Sequence, residues 1–299
     1  MKGVRKMEMV KENKGVQGRV HHRLSTVTWE VVKYVSIMLC CFVAVLPIVS
    51  CVITAFKTYS EYQATNVMTP PADWFNFSNY VKAFNMANMG TAFINSFIIL
   101  CVVLLGSTLI GSQLAYVLNR FKFPGNSLIR NLFTFAALLP GIAMQVSVYE
   151  IMTNLNLVNT LYGYILMMCG TDVMSMYIYI QYFENLPVSL DESAYLDGAS
   201  YFTIYWKILL PLLKPAIVTN LILKGVGVYN EYYCANLYLQ DKRRFATVAT
   251  SLYTFTGPLG NKYNLICAGV IISLLPALAV FCACQKQIYN GVSAGAVKG

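Results

Sequence analysis

The chain carries thirteen acidic side chains and two histidines, so acid–base, metal and nucleophile chemistry has few places to start. His21 and His22 are adjacent in a polar N-terminal stretch with no further ligand near them, too little for a structural zinc site. The cysteines (Cys40, Cys41, Cys51, Cys101, Cys169, Cys234, Cys267, Cys282 and Cys284) lie mostly in apolar runs without a C-x-x-C pair and read as small buried hydrophobes. No G-x-x-x-x-G-K-[ST] string occurs, so the chain has no phosphate-cradling loop of its own. No nucleophile, metal or acid–base constellation gathers at one face, which argues against a membrane enzyme. What remains is polar chemistry set in apolar sequence. Asp172 lies inside an apolar stretch, and Glu150 and Glu231 lie near the ends of two others. Carboxylates at membrane depth are costly and usually functional. With Gln145, Asn154 and Asn230 they would line a path for a polar solute. Glu150 and Glu231 fit equally well in a water-touching interface, whereas Asp172 asks for an internal partner.

The most closely punctuated polar segment is 184–215, ENLPVSLDESAYLDGASYFTIYWKILLPLLKP. Ser189-Leu190-Asp191-Glu192 reads as a capping box, with serine and glutamate each satisfying a free backbone donor. Asp197-Gly198 supplies a stop, because glycine accepts the left-handed conformation at a helix end. Ser200 caps a second helix running toward Lys207. The expectation is a helix, a glycine hinge and another helix, with Leu190, Ala194 and Tyr195 sharing one face.

These residues need a frame, and the composition says which. Of 299 residues 57% are hydrophobic and 12% charged, against about 25% charged in soluble domains, and the mean hydropathy is +0.55. That excludes a soluble, a disordered or a disulfide-stapled secreted protein. The net charge of +9 comes from basic residues dispersed between apolar stretches, a membrane pattern and not a nucleic-acid surface. A spanning helix needs ~20 apolar residues. Six stretches qualify, about 32–55, 92–118, 129–152, 162–183, 206–235 and 264–288. The fold class is all-α, polytopic, with six transmembrane helices, since lipid leaves backbone groups no other partner. The first stretch follows a long charged tail and lacks a cleavage site, so it reads as a retained span. With the N-terminus inside, fifteen basic residues fall on the inner side and six outside (Lys57, Lys82, Lys242, Arg243, Arg244, Lys262), with Lys224 inside the fifth span. Both termini are therefore expected in the cytoplasm. The Lys242–Arg244 cluster runs against that rule. Between the first two spans, Pro70-Pro71 and a short helix capped by Ser78 form an external cap. Pro47, Pro140, Pro211, Pro215 and Pro276, with Gly225 and Gly227, are candidate kinks, although membrane helices tolerate such residues, which is account enough for Pro47 and Pro276.

The inner segment resembles the EAA motif of ABC importer permeases, E-A-A, three residues, G, nine residues, I-x-L-P. It stands here as Glu192-Ser193-Ala194, Gly198 and Ile208-Leu209-Leu210-Pro211, with Ser193 replacing an alanine. Ala92–Ser96, Tyr116–Gly125, Leu139-Pro140-Gly141, Asn230-Glu231 and the terminal Gly291–Gly299 are similar to carbohydrate-uptake permeases of the maltose and multiple-sugar type. Tyr229 stands where that group usually has tryptophan.

The resemblance implies an N-terminal tail (1–28), a permease domain (29–291) with its coupling loop at 184–205, and a C-terminal tail (292–299). It implies a non-catalytic subunit of a sugar importer in the bacterial cytoplasmic membrane. Glu192, Ser193, Ala194, Asp197, Gly198, Ile208, Leu210 and Pro211 would form the coupling element. No cofactor is expected on this chain, because ATP and Mg would sit on a partner ATPase. The implied partners are a second homologous permease, two ATP-binding-cassette ATPase subunits, an extracytoplasmic sugar-binding protein and the lipid bilayer, and no nucleic acid. Gln145, Tyr149, Glu150, Tyr229, Asn230 and Glu231 are the candidate sugar path. Tyr149, Tyr229, Tyr232 and Tyr233 could stack on sugar rings, but the ordinary interfacial aromatic belt is the stronger account. The rival is an ion-coupled secondary transporter, which calls for intramembrane charge relays and internal repeats. Asp172 alone is deep enough to serve as one.

Overall fold

Helices account for the fold. A computed structural model describes the backbone of residues 2–170, 173–257 and 261–296 and the side chains of 29–170, 173–257 and 261–285; these residues contain no strand. His21, His22, Asp172 and the Gly291–Gly299 signature lie outside the described side chains. α1 (Lys2–Phe56) joins the basic tail and the first apolar stretch in one helix, with Pro47 inside it. A capping box of Thr58 and Glu61 starts α2 (Tyr59–Ala64). α3 (Ser78–Met86) follows, but Ser78 is not its cap: Phe77 takes that place without a side-chain bond. The Ser78 hydroxyl and N–H both donate to Asn76 Oδ1 instead, at 2.6 and 3.2 Å. Buried Asn79 donates to the carbonyls of Ala55 and Lys57 at 2.8 and 2.7 Å, so α3 closes the end of α1.

α4 (Met89–Arg120) is the central helix. Ser107, Gly111 and Ala115 recur every four residues and, with Ser112, are buried along it, which lets neighbouring backbones come close in lipid, where apolar burial alone gives helices no reason to associate. A Cβ on Gly106 would stand 2.8 Å from Cys169 Sγ.

The third stretch is not one helix. α5 (Asn126–Leu138) and α6 (Gly141–Asn154) meet at 107°. Pro140 has no N–H and disfavours the helical conformation for the residue before it, and Leu139 is extended at φ −76°, ψ 130°. The fourth is split into α7 (Leu161–Met168) and α8 (Val173–Glu184). α9 (Ser189–Leu196) is the loop helix. After it, α10 (Tyr201–Thr203), a π turn at Ile204–Leu209 and α11 (Leu210–Leu212) lead into α12 (Lys214–Asn230), with a 72° bend. Pro211 cannot donate to the carbonyl four residues back, and the turn before it widens, with Leu210 N–H reaching Tyr205 O. Pro215 sits in the first turn of α12, where a missing N–H costs nothing. Gly225 and Gly227 lie in unbroken helix, and the fifth stretch ends at Asn230, short of the expected 235. α13 (Tyr233–Tyr238), α14 (Lys242–Phe245) and α15 (Val248–Ser251) form a separate cap, and α16 (Tyr263–Ala296) closes the chain with Pro276 inside it.

Among the described residues three helical segments (Trp29–Phe56, Met89–Arg120 and Tyr263–Gln285) are long and apolar enough to cross a bilayer singly, and three bent pairs, each counted as one span, raise the number to as many as six. α4 packs against α7, α8 and α12, and α1 packs along α16. The wide exposed apolar surface, Trp29, Met38 and Phe42 included, is what a lipid-facing exterior requires.

Candidate functional site

At one end of the bundle the 184–215 segment forms a braced helical turn. Its capping box does not form, since Val188 occupies the cap position and makes no side-chain bond. The Pro187 carbonyl already accepts from Leu190 N–H, and Val188 O accepts from Asp191 and Glu192 at 2.9 and 3.1 Å. The helix thus begins one residue early, and Ser189 is already inside it. The glycine stop does form. Gly198 has φ +86°, Ala199 N–H reaches Ala194 O and Gly198 N–H reaches Tyr195 O, each at 3.0 Å, the crossed pair of a Schellman turn. Ser200 accepts from Thr203 N–H at 3.3 Å and starts the second helix.

The expected shared face is not a buried one. Ala194 is buried among Tyr116, Phe183, Ile204, Tyr205 and Leu209, with Ile208 and Leu210 packed against the same cluster. Leu190 and Tyr195 point to the surface. Glu192, Ser193, Asp197, Gly198 and Pro211 are exposed. Leu196 is 86% exposed and Phe202 70%, beside exposed Val188, Tyr195 and Tyr201. Tyr195 and Tyr201 stack across the hinge at 5.4 Å, and Tyr201 meets Phe121 edge-on at 5.1 Å. A small rigid platform therefore presents apolar and acidic groups away from the bundle.

One ionic contact escaped the sequence. Arg120, the last residue of α4, places Nε 3.1 Å from Asp191 Oδ2, with side chains 9% and 14% exposed. Its guanidinium also donates to Leu186 O at 2.9 Å and lies 6.0 Å from the Phe183 ring centre. Burial pushes the Asp191 carboxyl above its ordinary pKa, with Arg120 pulling the other way. In the sequence Arg120 is one of the fifteen basic residues expected on the inner side, and Asp191 a letter within a capping string.

At the opposite end, the six path candidates do not form one cluster. Gln145 accepts from Tyr238 OH at 2.9 Å, Gln240 donates to Tyr149 OH at 3.0 Å, and the Tyr149 and Tyr238 rings are 5.7 Å apart. Tyr238 and Gln240 are additions that no sequence spacing signalled. Glu231 accepts from Cys234 N–H at 2.8 Å. Tyr229 donates to Ser273 O at 2.7 Å, tying α12 to α16. Glu150 and Asn230 are exposed. Tyr232 stacks on Tyr253 at 3.9 Å. Within the bundle Lys224 donates to Gly170 O at 2.9 Å.

Of the Lys242–Arg244 cluster, Lys242 has a local role. Lys242 Nζ donates to the carbonyls of Leu239, Asn236 and Ala235 at 2.6, 3.2 and 3.4 Å, a cation on a helix C-terminus. Burial lowers its pKa. Fully buried Lys57 is satisfied by Thr65 Oγ1 and Asn66 O at 2.9 and 2.7 Å.

Residues 107–290 match the family model described as binding-protein-dependent transport system inner membrane component. The chain belongs to this family. The permease is 30% identical over 248 residues to the melibiose/raffinose/stachyose import permease protein MelC of Bacillus subtilis, covering 82% of this chain and 88% of that protein. It is 27% identical over 255 residues to the diacetylchitobiose uptake system permease protein NgcG of Streptomyces coelicolor, covering 85% and 84%. Its fold is that of a chain in a bacterial ABC transporter involved in the import of the acidic polysaccharide alginate, with TM-score 0.78, 21% identity, and 88% and 97% of the two chains covered. The permease is thus a multi-pass, non-catalytic membrane component of an ABC importer, a system that in general includes a further permease, an ATPase and a binding protein.

Proposed function

We propose that the permease carries a sugar or short oligosaccharide inward across the bacterial cytoplasmic membrane, paired with a second, similar permease and driven by two ATPase subunits that dock on the α9–α10 platform. An external binding protein delivers the solute. The platform's end is cytoplasmic, as are both termini, with tails at 1–28 and 292–299 flanking a permease domain at 29–291. ATP and Mg belong to the ATPases, and this chain contributes no cofactor site. The observation that carries the reading is the platform itself: Ala194 anchors it in the bundle while Leu196 and Phe202 are left bare. An exposed apolar tip on a rigid base is a surface shaped to enter a partner's cleft. The names of the curated relatives, which transport raffinose-type sugars and diacetylchitobiose, support a saccharide as cargo. Gln145, Tyr149, Glu150, Tyr229, Asn230 and Glu231 line the path in this reading, with Gln145 and Tyr149 joined through Tyr238.

ATPase closure would press α9 and tilt the spans between inward-open and outward-open. The bends at Pro140 and Leu213 give the spans separate segments that can pivot. The test is uptake of labelled raffinose and diacetylchitobiose by membrane vesicles, with and without internal ATP. ATP-dependent uptake of either sugar supports the proposal. Uptake that persists without ATP and collapses with the ion gradient would establish the secondary-transporter rival instead. Reporter fusions at both ends check the orientation.

A further inference from the structure

Resting on the docking role of α9, we propose that the Arg120–Asp191 ion pair is the positioning contact through which movement of the docking helix reaches α4 and, along it, the opposite end of the bundle. Three observations converge. First, the guanidinium gathers three separate pieces of chain: Asp191 in α9, the Leu186 carbonyl at the entry to the loop, and the Phe183 ring at the end of α8. A displacement of α9 therefore pulls on the end of α4 and not on a side chain free to swing. Second, that end of α4 is braced. Leu118 O accepts from Arg130 at 2.6 Å and from Asn126 at 3.0 Å, which fixes the start of α5 to the same turn. Third, the other end of α4 holds the opposite cap. Asn95 donates to Arg244 O and Ala246 O at 2.8 and 3.0 Å, Ser96 Oγ accepts from Val248 N–H at 2.9 Å, and Asn88 donates to Arg243 O at 3.1 Å. One 32-residue helix thus connects the docking helix to the opposite cap, over about 48 Å at 1.5 Å per residue.

A nearly buried ion pair is a poor device for stability, because desolvation offsets most of the attraction. The pair is a 3.1 Å contact of charges without hydrogen-bond geometry, so what it adds to the apolar seat of Ala194 is attraction that ties α9 to the end of α4. Arg120 and Asp191 touch neither solute nor nucleotide in this account, and they act by position.

The experiment uses the whole transporter, purified through a tag on this chain and reconstituted in proteoliposomes with its binding protein. Three quantities are read: ATPase subunits co-purified, ATP hydrolysed, and raffinose or diacetylchitobiose taken up per ATP, using whichever the unmodified transporter carries. Asp191→Asn and Arg120→Gln should retain the ATPase and its hydrolysis while uptake per ATP falls about tenfold, the scale of a modest coupling free energy. The double reversal Arg120→Asp with Asp191→Arg should recover a substantial part of that loss, and Arg120→Lys should lie between. Recovery separates positioning from simple damage to the fold. Normal uptake per ATP in both single variants overturns the proposal, and so does loss of co-purified ATPase in step with uptake, which would make the pair a docking support. Should the single variants fail to insert, the double reversal and Arg120→Lys decide: no recovery in either refutes the link. Gly198→Pro is run alongside. If it uncouples while the ion-pair variants do not, the docking reading stands and the ion-pair link falls. If none of them changes uptake, the docking reading falls with it.

Discussion

Gly198 offers the sharpest test of the platform, because the structure separates backbone strain from crowding there. Its φ of +86° is left-handed, yet a Cβ built on it meets nothing within 4 Å. A substitution series should therefore follow the cost of the left-handed conformation and ignore side-chain volume. Asn visits that region readily and serves at helix ends, so Gly198→Asn should behave nearly as the parent. Gly198→Ala pays about 1–2 kcal/mol for the wrong hand. Gly198→Pro is worse on two counts: its φ is locked near −65°, and it loses the N–H that reaches Tyr195 O at 3.0 Å, together about 3 kcal/mol or more. At about 1.4 kcal/mol per tenfold, these costs cap the fall in uptake per ATP at about 5–30-fold in the Ala variant and at roughly a hundredfold in Pro. Membrane insertion should be unaffected throughout, since Gly198 lies at the surface and outside the spans. The assay is sugar uptake and ATP hydrolysis measured on the same proteoliposomes. A series ordered by volume, with Ala outperforming Asn, or a Pro variant as active as Asn, would refute the argument.

Leu196→Asp places a charge on the barest apolar residue of the platform; the thermal stability of the purified chain should stay within about 0.5 kcal/mol of the parent, while ATPase co-purification is lost. Asn95→Ala removes one buried and one part-buried hydrogen bond to the 244–246 backbone, should cost about 1–3 kcal/mol, and should expose that segment to protease in intact spheroplasts. Tyr149→Phe, which keeps the ring and loses only the Gln240 bond, should transport sugar nearly normally, whereas Tyr149→Ala should raise the transport KM. Lys242→Met should loosen α13 by leaving Leu239 O without its donor, detectable as faster amide exchange in residues 233–239.

Much of this permease was written in one dimension. The six apolar stretches were legible because a span must be about as long as the bilayer is thick and must satisfy its own backbone. The glycine stop at Gly198 and the Ser200 cap were legible because each depends on residues a few positions apart. So was the EAA-like spacing, which led to the platform. What the string could not carry was anything set by approach in space. Ser189-x-x-Glu192 looked like a capping box, but Pro187 started the turn a residue sooner and left the serine inside the helix. Pro140 was visible as a break, but its 107° angle depends on what α5 and α6 pack against. The Lys242 cluster runs against the charge rule, and the carbonyls at the end of α13 that hold Lys242 come together only in the fold. Arg120 and Asp191 are seventy-one positions apart in the chain, and only the folding of α8 back along α4 brings their charges within 3.1 Å. Length, polarity and local stops are properties of the chain by itself; ion pairs, bends and the membership of a lining belong to the fold, because each needs a partner that sequence distance does not specify.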